Sequence, residues 1–350
     1  MTVKVFDFFS GCGGNSAGLR EARLGTARTD IVLGLDVDPD AARTFQANFP
    51  RSKFIQKDIR SVTKAELEPL VQACKGHPLL FAGCAPCQPF SARNRVRNTK
   101  KDGRVNLLRE FGRFVEHFLP DYVLVENVPG IQQVSVDTPG PLEEFVTLLG
   151  RLGYHHCARV IRSQDYGVPQ RRARLVLIAS RHGPIGLPEA THGPKGAPAM
   201  TKLRPYATAW DAIKHLPPLQ AGEKHPYIPN HECHRLTEIN LRRMRATPEG
   251  GDRRDWPEEL WLDCHKGRNG EGRFKGHMDV YGRIRKDQPA SGLTTRCISL
   301  SHGRFGHPDP EQHRALSVRE AAHLQTFPPN FVFYGSTMST ARQVLSLIHI

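Results

Sequence analysis

Over the first half of the chain, short apolar and β-branched runs alternate with stretches of helical periodicity. Val3–Phe9, Ile31–Asp36, Lys53–Gln56, Leu79–Ala82, Tyr122–Glu126, Cys157–Arg162 and Arg174–Ala179 read as strands. Between them, Ser16–Arg23, Ala41–Asn48, Lys64–Cys74, Leu107–Phe118 and Leu142–Leu152 read as helices. Alternation of this kind, with nearly continuous apolar strands, predicts an α/β unit with a parallel sheet covered on both faces. The pattern fades after about residue 180. From 181 to 229 the chain is rich in Pro, Gly and His, with Gly193-Pro194 and Pro217-Pro218, and reads as a linker opening into a less regular domain. A length of 350 residues, at roughly 150 per domain, fits two domains.

Charge adds a partner to this picture. Lys and Arg number 49 against 35 Asp and Glu, a net charge of +14, and the isoelectric point is near 9.6. Such a balance points to a polyanion, nucleic acid first. Basic residues crowd between Arg235 and Lys286, among glycines 267, 270, 272 and 276, as suits a groove-reading surface. The first residues break their apolar run at Lys4 and Asp7 and lack a small-residue cleavage site, so they read as a strand and not a signal peptide. No run of 18 apolar residues occurs, and a cytoplasmic location is expected. Eight scattered cysteines in such a chain are buried filler or chemistry, not a disulfide framework.

Candidate chemistry gathers where strands end. Ser10-Gly11-Cys12-Gly13-Gly14 follows the first strand and opens a helix, and Asp36 and Asp58 close the second and third strands. Glycines there let backbone approach a ligand, and an acid at the second strand suits a ribose, so an adenosine-bearing cofactor is expected. No Gly-Lys-Ser/Thr phosphate loop is present, which argues against a nucleoside triphosphate. After the fourth strand, Cys84-Ala85-Pro86-Cys87 admits three readings: a thiol–disulfide pair, half a zinc site, or one nucleophilic cysteine. Glu126-Asn127-Val128 ends the fifth strand, on the sheet edge where ligands bind. Arg172 and Arg174 fall on one face as the last strand begins.

Taken in order, these segments resemble the DNA cytosine-5 methyltransferase family over nearly the whole chain. Asp7-Phe8-Phe9-Ser10-Gly11-Cys12-Gly13-Gly14 resembles its cofactor motif, Pro86-Cys87-Gln88 its catalytic motif and Glu126-Asn127-Val128 its Glu-Asn-Val motif. Gln170-Arg171-Arg172-Ala173-Arg174 resembles its Gln-x-Arg-x-Arg motif, and Arg319 to Pro328 its late Arg-Glu-x-x-x-Leu-Gln-x-Phe-Pro element. The resemblance implies a doubly wound, Rossmann-like S-adenosyl-L-methionine-dependent domain over 1–190, rejoined by about 335–350. A smaller, irregular target-recognition domain would span 191–334. It implies transfer of a methyl group to C5 of cytosine in double-stranded DNA, with the base flipped out of the duplex.

The implied roles follow residue by residue. Cys87 would add to cytosine C6, Glu126 would hold the N3/N4 edge, and Arg172 and Arg174 would position the base. Phe9 would stack on adenine, Gly11, Gly13 and Gly14 would line the methionine side, Asp36 would hold the ribose, and Asp58 with Ile59 would meet the adenine. The family more often has Glu where Asp36 stands. The segment from Ser91 to Arg104 would close over DNA, and Gly292-Leu293-Thr294-Thr295-Arg296 resembles the Thr-Leu recognition element. A monomer is expected, with a restriction endonuclease acting on the same site without a stable complex. No metal is expected, although His231, Cys233, His234, Cys264 and His265 form a His/Cys cluster. Where the family closes with Gly-Asn-x-Val, this chain has Leu345-Ser346-Leu347-Ile348-His349-Ile350. That departure implies a weakened cofactor pocket, apolar residues from Leu345 onward without a helix to bury them, and an alternative reading as an inactive DNA-binding relic. A thiol oxidoreductase acting through Cys84 and Cys87 is the other alternative.

Overall fold

The computed structural model describes residues 1–85, 106–132, 140–196, 198, 202–263 and 279–346. Two compact units emerge: Met1–Arg162 with Ala173–Glu189, and Ser163–Arg172 with Ala190–Ser346. The chain thus leaves the first unit for ten residues before returning to it.

The first unit is built on β1 (Thr2–Phe8), α1 (Gly14–Glu21), β2 (Arg23–Leu24), β3 (Ala27–Asp36), α2 (Pro39–Asn48), β4 (Lys53–Gln56), α3 (Lys64–Gln72) and β5 (Leu79–Gly83). It continues with α4 (Leu107–Phe118), β6 (Tyr122–Asn127), α5 (Pro141–Arg151), β7 (His155–Arg162) and β8 (Ala173–Ser180). Local chemistry sets several boundaries. Asp38 caps α2 with Pro39 in the first turn, and Thr63 and Glu66 form a capping box on α3. In α4, Leu107, Leu108, Phe111, Phe114 and Val115 bury one stripe, the helical spacing read from the sequence.

The strand order is β2-β3-β1-β5-β6-β8-β7, with β4 also pairing β3. β1 is central, parallel to β3 on one side and β5 on the other. The order reverses there, so the C-terminal ends of β1 and β5 flank a switch point, where open α/β sheets bind ligands. Beneath it lies an aromatic core: the Phe8 ring sits 5.2 Å from Phe81 and from Phe111, and 5.3 Å from Phe114. Gly83 is needed at the end of β5, because a Cβ there would lie 2.8 Å from the Phe111 ring.

The sheet is not wholly parallel as expected. β8 runs antiparallel to both β6 and β7. Only residues 163–172 join β7 to β8, too few for a helical crossover, so the chain must turn back.

The second unit has little regular structure: β9 (His192–Gly193), β10 (Arg204–Pro205), α6 (Ala209–Ile213), α7 (Glu238–Arg245), α8 (Val318–Leu324) and α9 (Thr337–Ser346). Met244, Trp256, Leu260, Tyr281, Leu300 and Ala315 form its core. Irregular backbone leaves carbonyls without ladder partners, and buried arginines supply the donors. Arg283, fully buried, donates to the carbonyls of Met244, Thr247, His307, Asp309, Pro310 and Gln312. Burial pushes its guanidinium down to about 10. Arg243 and Arg253 are buried as well, so part of the basic run expected on a groove-reading surface is interior. Arg235, Arg242, Arg245, Arg254 and Arg285 are exposed.

Residues 335–346 fall in this second unit. Helix α9 packs on α8. Ala341, Val344 and Leu345 are buried, so Leu345 has the helix it was expected to lack; Leu347 to Ile350 lie outside the described residues.

Candidate active site

The loop after β1 is held in a conformation most residues avoid. Phe9 has φ 59°, Gly11 52° and Gly13 92°. A positive φ at an aromatic residue is strained, and such strain gathers at ligand sites. Gly13 has a second constraint, since a Cβ would lie 2.5 Å from the Phe49 ring. The Ser10 N–H donates to the Leu35 carbonyl (3.0 Å), and the Gly11 N–H donates to Asp36 Oδ2 (2.9 Å). The Asp38 N–H donates to Asp36 Oδ1 (3.0 Å). Burial pushes the Asp36 carboxyl above its usual range. Next to it Val37 is 58% exposed, an apolar side chain left open at the strand end.

Asp7 lies under this loop, fully buried. Ser16 Oγ donates to its Oδ2 (2.6 Å) and Asn15 Nδ2 to its Oδ1 (3.4 Å), tying β1 to α1. Desolvation raises its carboxyl to about 7 against these bonds. Asp58 is more open, and Arg60 donates to it from both Nε and the backbone N–H (2.9 Å each), which holds it low. The Ile59 side chain turns into the core, so it does not share the open space beside Val37.

Across the switch point the structure places a carboxylate, a guanidinium and an amide. Arg174 Nε lies 2.7 Å from Glu126 Oε1, both side chains mostly buried. Antiparallel pairing brings them together: Asn127 stands opposite Leu175 and Glu126 opposite Val176, so the start of β8 meets the end of β6. Asn127, 2% exposed, donates through Nδ2 to the Ala85 carbonyl (3.1 Å), and its Oδ1 accepts the Val128 N–H (2.9 Å). It therefore pins the chain two residues before Cys87. Cys87, Ser91 and Arg104 lie outside the described residues. Among the described thiols, burial pushes Cys12, Cys74 and Cys233 up and Cys297 up to about 12, the wrong direction for a nucleophile.

Arg172 and Arg174 have different partners. Arg172 belongs to the second unit, where its Nη1 donates to the Leu293 carbonyl (2.9 Å). Beyond Leu293, Thr294 is half-buried and Thr295 and Arg296 are exposed. Within the His/Cys cluster, His231 and Cys233 are engaged in packing. His231 bonds Ser317 Oγ (2.9 Å) and the Pro217 carbonyl (2.8 Å), and Cys233 donates to the Gln220 carbonyl (3.0 Å). Cys264 and His265 lie outside the described residues. Among the described residues, no helix is long and apolar enough to cross a membrane. Sequence reasoning missed Asp7 and Asn127 as site residues. A lone acid in an apolar strand was the available signal for the first, but nothing in the sequence showed that Asn127 reaches Ala85.

Known proteins share this sequence and this fold. A Type II methylase, M.HgiDII of Herpetosiphon aurantiacus, is 38% identical over 333 residues, covering 95% of this chain and 86% of that protein. The Type II methyltransferase M1.HphI of Haemophilus parahaemolyticus is 32% identical over 346 residues, covering 98% and 82%. The fold matches the solved Entamoeba histolytica methyltransferase EhMeth with a TM-score of 0.64 at 14% identity, over 98% of this chain and 93% of that one. The C-5 cytosine-specific DNA methylase profile matches residues 3–345, nearly the span over which the motifs run. With the sheet, the strand-end carboxylates and the Glu126–Arg174 pair in place, the chain belongs to the C-5 cytosine-specific DNA methylase family and is a DNA cytosine-5 methyltransferase.

Proposed function

We propose that this enzyme methylates cytosine C5 in double-stranded DNA through a covalent bond between Cys87 and C6, on a base turned out of the duplex. The observation that carries this reading is the Glu126–Arg174 pair beside Asn127, whose amide holds Ala85 two residues from Cys87. The residues present fit S-adenosyl-L-methionine as cofactor. The Asp36 oxygens accept the N–H groups of Gly11 and Asp38 and keep lone-pair capacity for a ribose hydroxyl. The Phe9–Gly14 loop and open Val37 offer backbone and apolar surface for the rest. When bound, the cofactor supplies an electrophilic methyl group.

Cytosine C5 is a poor nucleophile until a thiolate adds to C6, which saturates C6, shifts the double bond to C4=C5 and makes the N–C4=C5 unit enamine-like. Cys87 supplies that thiolate, Glu126 hydrogen-bonds the N3/N4 edge where charge develops, and Arg174 holds Glu126 in place. After methylation, transfer of the C5 proton to a solvent base re-forms C5=C6 and expels the Cys87 thiolate. Thr294, Thr295 and Arg296, with Ser91 and Arg104, would contact DNA. The Type II names of the two relatives support a cognate endonuclease that acts on the same site; the methylase itself would work as a monomer on cytoplasmic DNA. The test is transfer of tritium from methyl-labelled cofactor to DNA. Cys87→Ser should abolish transfer and leave DNA binding intact, while Cys84→Ser, at a buried position, should cost little. Equal loss from both would overturn the covalent assignment in favour of a thiol pair.

A further inference from the structure

Two glutamines from motifs 155 positions apart meet in the second unit. Gln170 and Gln325 are both fully buried, and Gln170 Nε2 donates to Gln325 Oε1 (3.2 Å). Gln170 Oε1 accepts the N–H of Leu293 (3.2 Å), while Arg172 Nη1 donates to the carbonyl of the same residue (2.9 Å). Both peptide groups of Leu293 are thus held by side chains from one short segment. That segment is itself zipped to its neighbour, with the Arg171 N–H on the Ala290 carbonyl (2.8 Å) and the Ala290 N–H on the Pro169 carbonyl (2.9 Å). Gln325 in turn donates to the Val344 carbonyl of α9 (3.4 Å).

Thr294, Thr295 and Arg296 follow immediately, and fully buried Cys297 closes the turn with its N–H on the Thr294 carbonyl (2.9 Å). Amides in such surroundings are costly unless every bond is made, and a fully satisfied network fixes one arrangement. Two methionines of similar length would fill the same space without fixing the direction in which the turn leaves Leu293.

We infer that the Gln170–Gln325 amide pair is a positioning device that aims the Thr294–Arg296 turn and so sets discrimination between DNA sites without touching DNA. The inference rests on the reading that this turn faces DNA. Its test is steady-state kinetics on plasmid DNA, with methylated positions mapped by bisulfite sequencing, for Gln170→Met, Gln325→Met and the double variant. Loss of one such hydrogen bond corresponds to about a five- to tenfold change. Gln325→Met, which removes the amide pair and leaves the Gln170–Leu293 bond, should therefore raise KM for DNA and relax site discrimination about five- to tenfold, and Gln170→Met, which also gives up the Leu293 N–H, at least as much. At saturating DNA, kcat and KM for S-adenosyl-L-methionine should stay within about twofold. The double variant should be no worse than the worse single one, because either substitution breaks the pair.

Effects that multiply in the double variant, or a kcat loss with KM for DNA unmoved, would overturn the inference. Arg296→Ala serves as the control on the underlying reading. If it leaves KM for DNA unchanged, that reading of the turn fails; if it raises KM while the glutamine variants do not, the positioning inference alone fails. Amide hydrogen exchange on the unaltered protein gives a measurement independent of how the variants fold. Leu293 should exchange at least about 100-fold more slowly than Thr295, as about 2.8 kcal/mol of protection would give, and equal rates would overturn the clamp.

Discussion

Asn127→Ala is the substitution whose consequences the structure specifies most closely. The side chain is 2% exposed and makes two hydrogen bonds, one within its own turn to the Val128 N–H and one across to the Ala85 carbonyl. At about 1 kcal/mol each, their loss should cost the first unit about 2 kcal/mol. For a unit of this size that corresponds to a fall of about 4–8 °C in unfolding midpoint. The bond to Ala85 has a second effect, because the chain it holds leads directly to Cys87. Its own share of about 1–1.4 kcal/mol sets a kcat loss of about five- to tenfold, and displacement of the nucleophile by an ångström would extend that toward about 100-fold. Asn127→Asp separates the two bonds. It keeps an acceptor for the Val128 N–H but turns an oxygen toward the Ala85 carbonyl, so kcat should fall as far as in the alanine variant. The assay is single-turnover tritium transfer at saturating cofactor and DNA, alongside thermal unfolding. Wild-type kcat in Asn127→Asp would refute the argument that the bond to Ala85 places the nucleophile.

Four further outcomes are expected. Asp7 carries a folded-state pKa of about 7 against an ordinary 3.8. Its neutral form therefore favours the fold: the contribution of Asp7 to stability is fully present below about pH 4 and is lost as pH rises to about 7, by at most about 4 kcal/mol at about 1.36 kcal/mol per pH unit. Asp7→Asn should flatten that slope in denaturant titrations at several pH values, and an unchanged slope would show that the carboxyl stays ionised. Gly13→Ala combines a left-handed φ with a Cβ 2.5 Å from Phe49. It should destabilise the loop by about 1–3 kcal/mol and weaken cofactor binding in calorimetry, and unaltered affinity would separate the loop from the cofactor. Arg242→Ala, at an exposed position, should weaken DNA binding and make log K less steep in log salt, by about one unit if it meets a phosphate. Buried Arg283→Met should instead unfold the second unit, since six carbonyls lose their donor; a folded Arg283→Met protein with only a shallower salt slope would reverse that assignment.

What could be read from the sequence followed from local physics. Strands β1 and β4 to β8 and helices α2 to α5 lie within a few residues of their predicted ranges, because apolar period, caps and turn residues act over a few positions. Motifs were legible for the same reason: Gly11, Gly13 and Asp36 sit at strand ends, where chain order alone puts them. Partnership was not legible. The reversal of β8, which sets Arg174 against Glu126, depends on how residues 163–172 turn back, and it sends Arg172 to a different partner two positions earlier in the chain. Basic residues were counted correctly, yet their count could not divide exposed Arg242 from buried Arg283. A guanidinium satisfies scattered carbonyls as well as phosphates, and only packing decides which it meets. Leu345 is the same case in reverse: its own segment offers no reason for burial, and α8 supplies one. Composition and short-range pattern determine which groups a chain carries and where its strands end. Which of those groups face one another depends on contacts between segments far apart in sequence, and those exist only once the chain has folded.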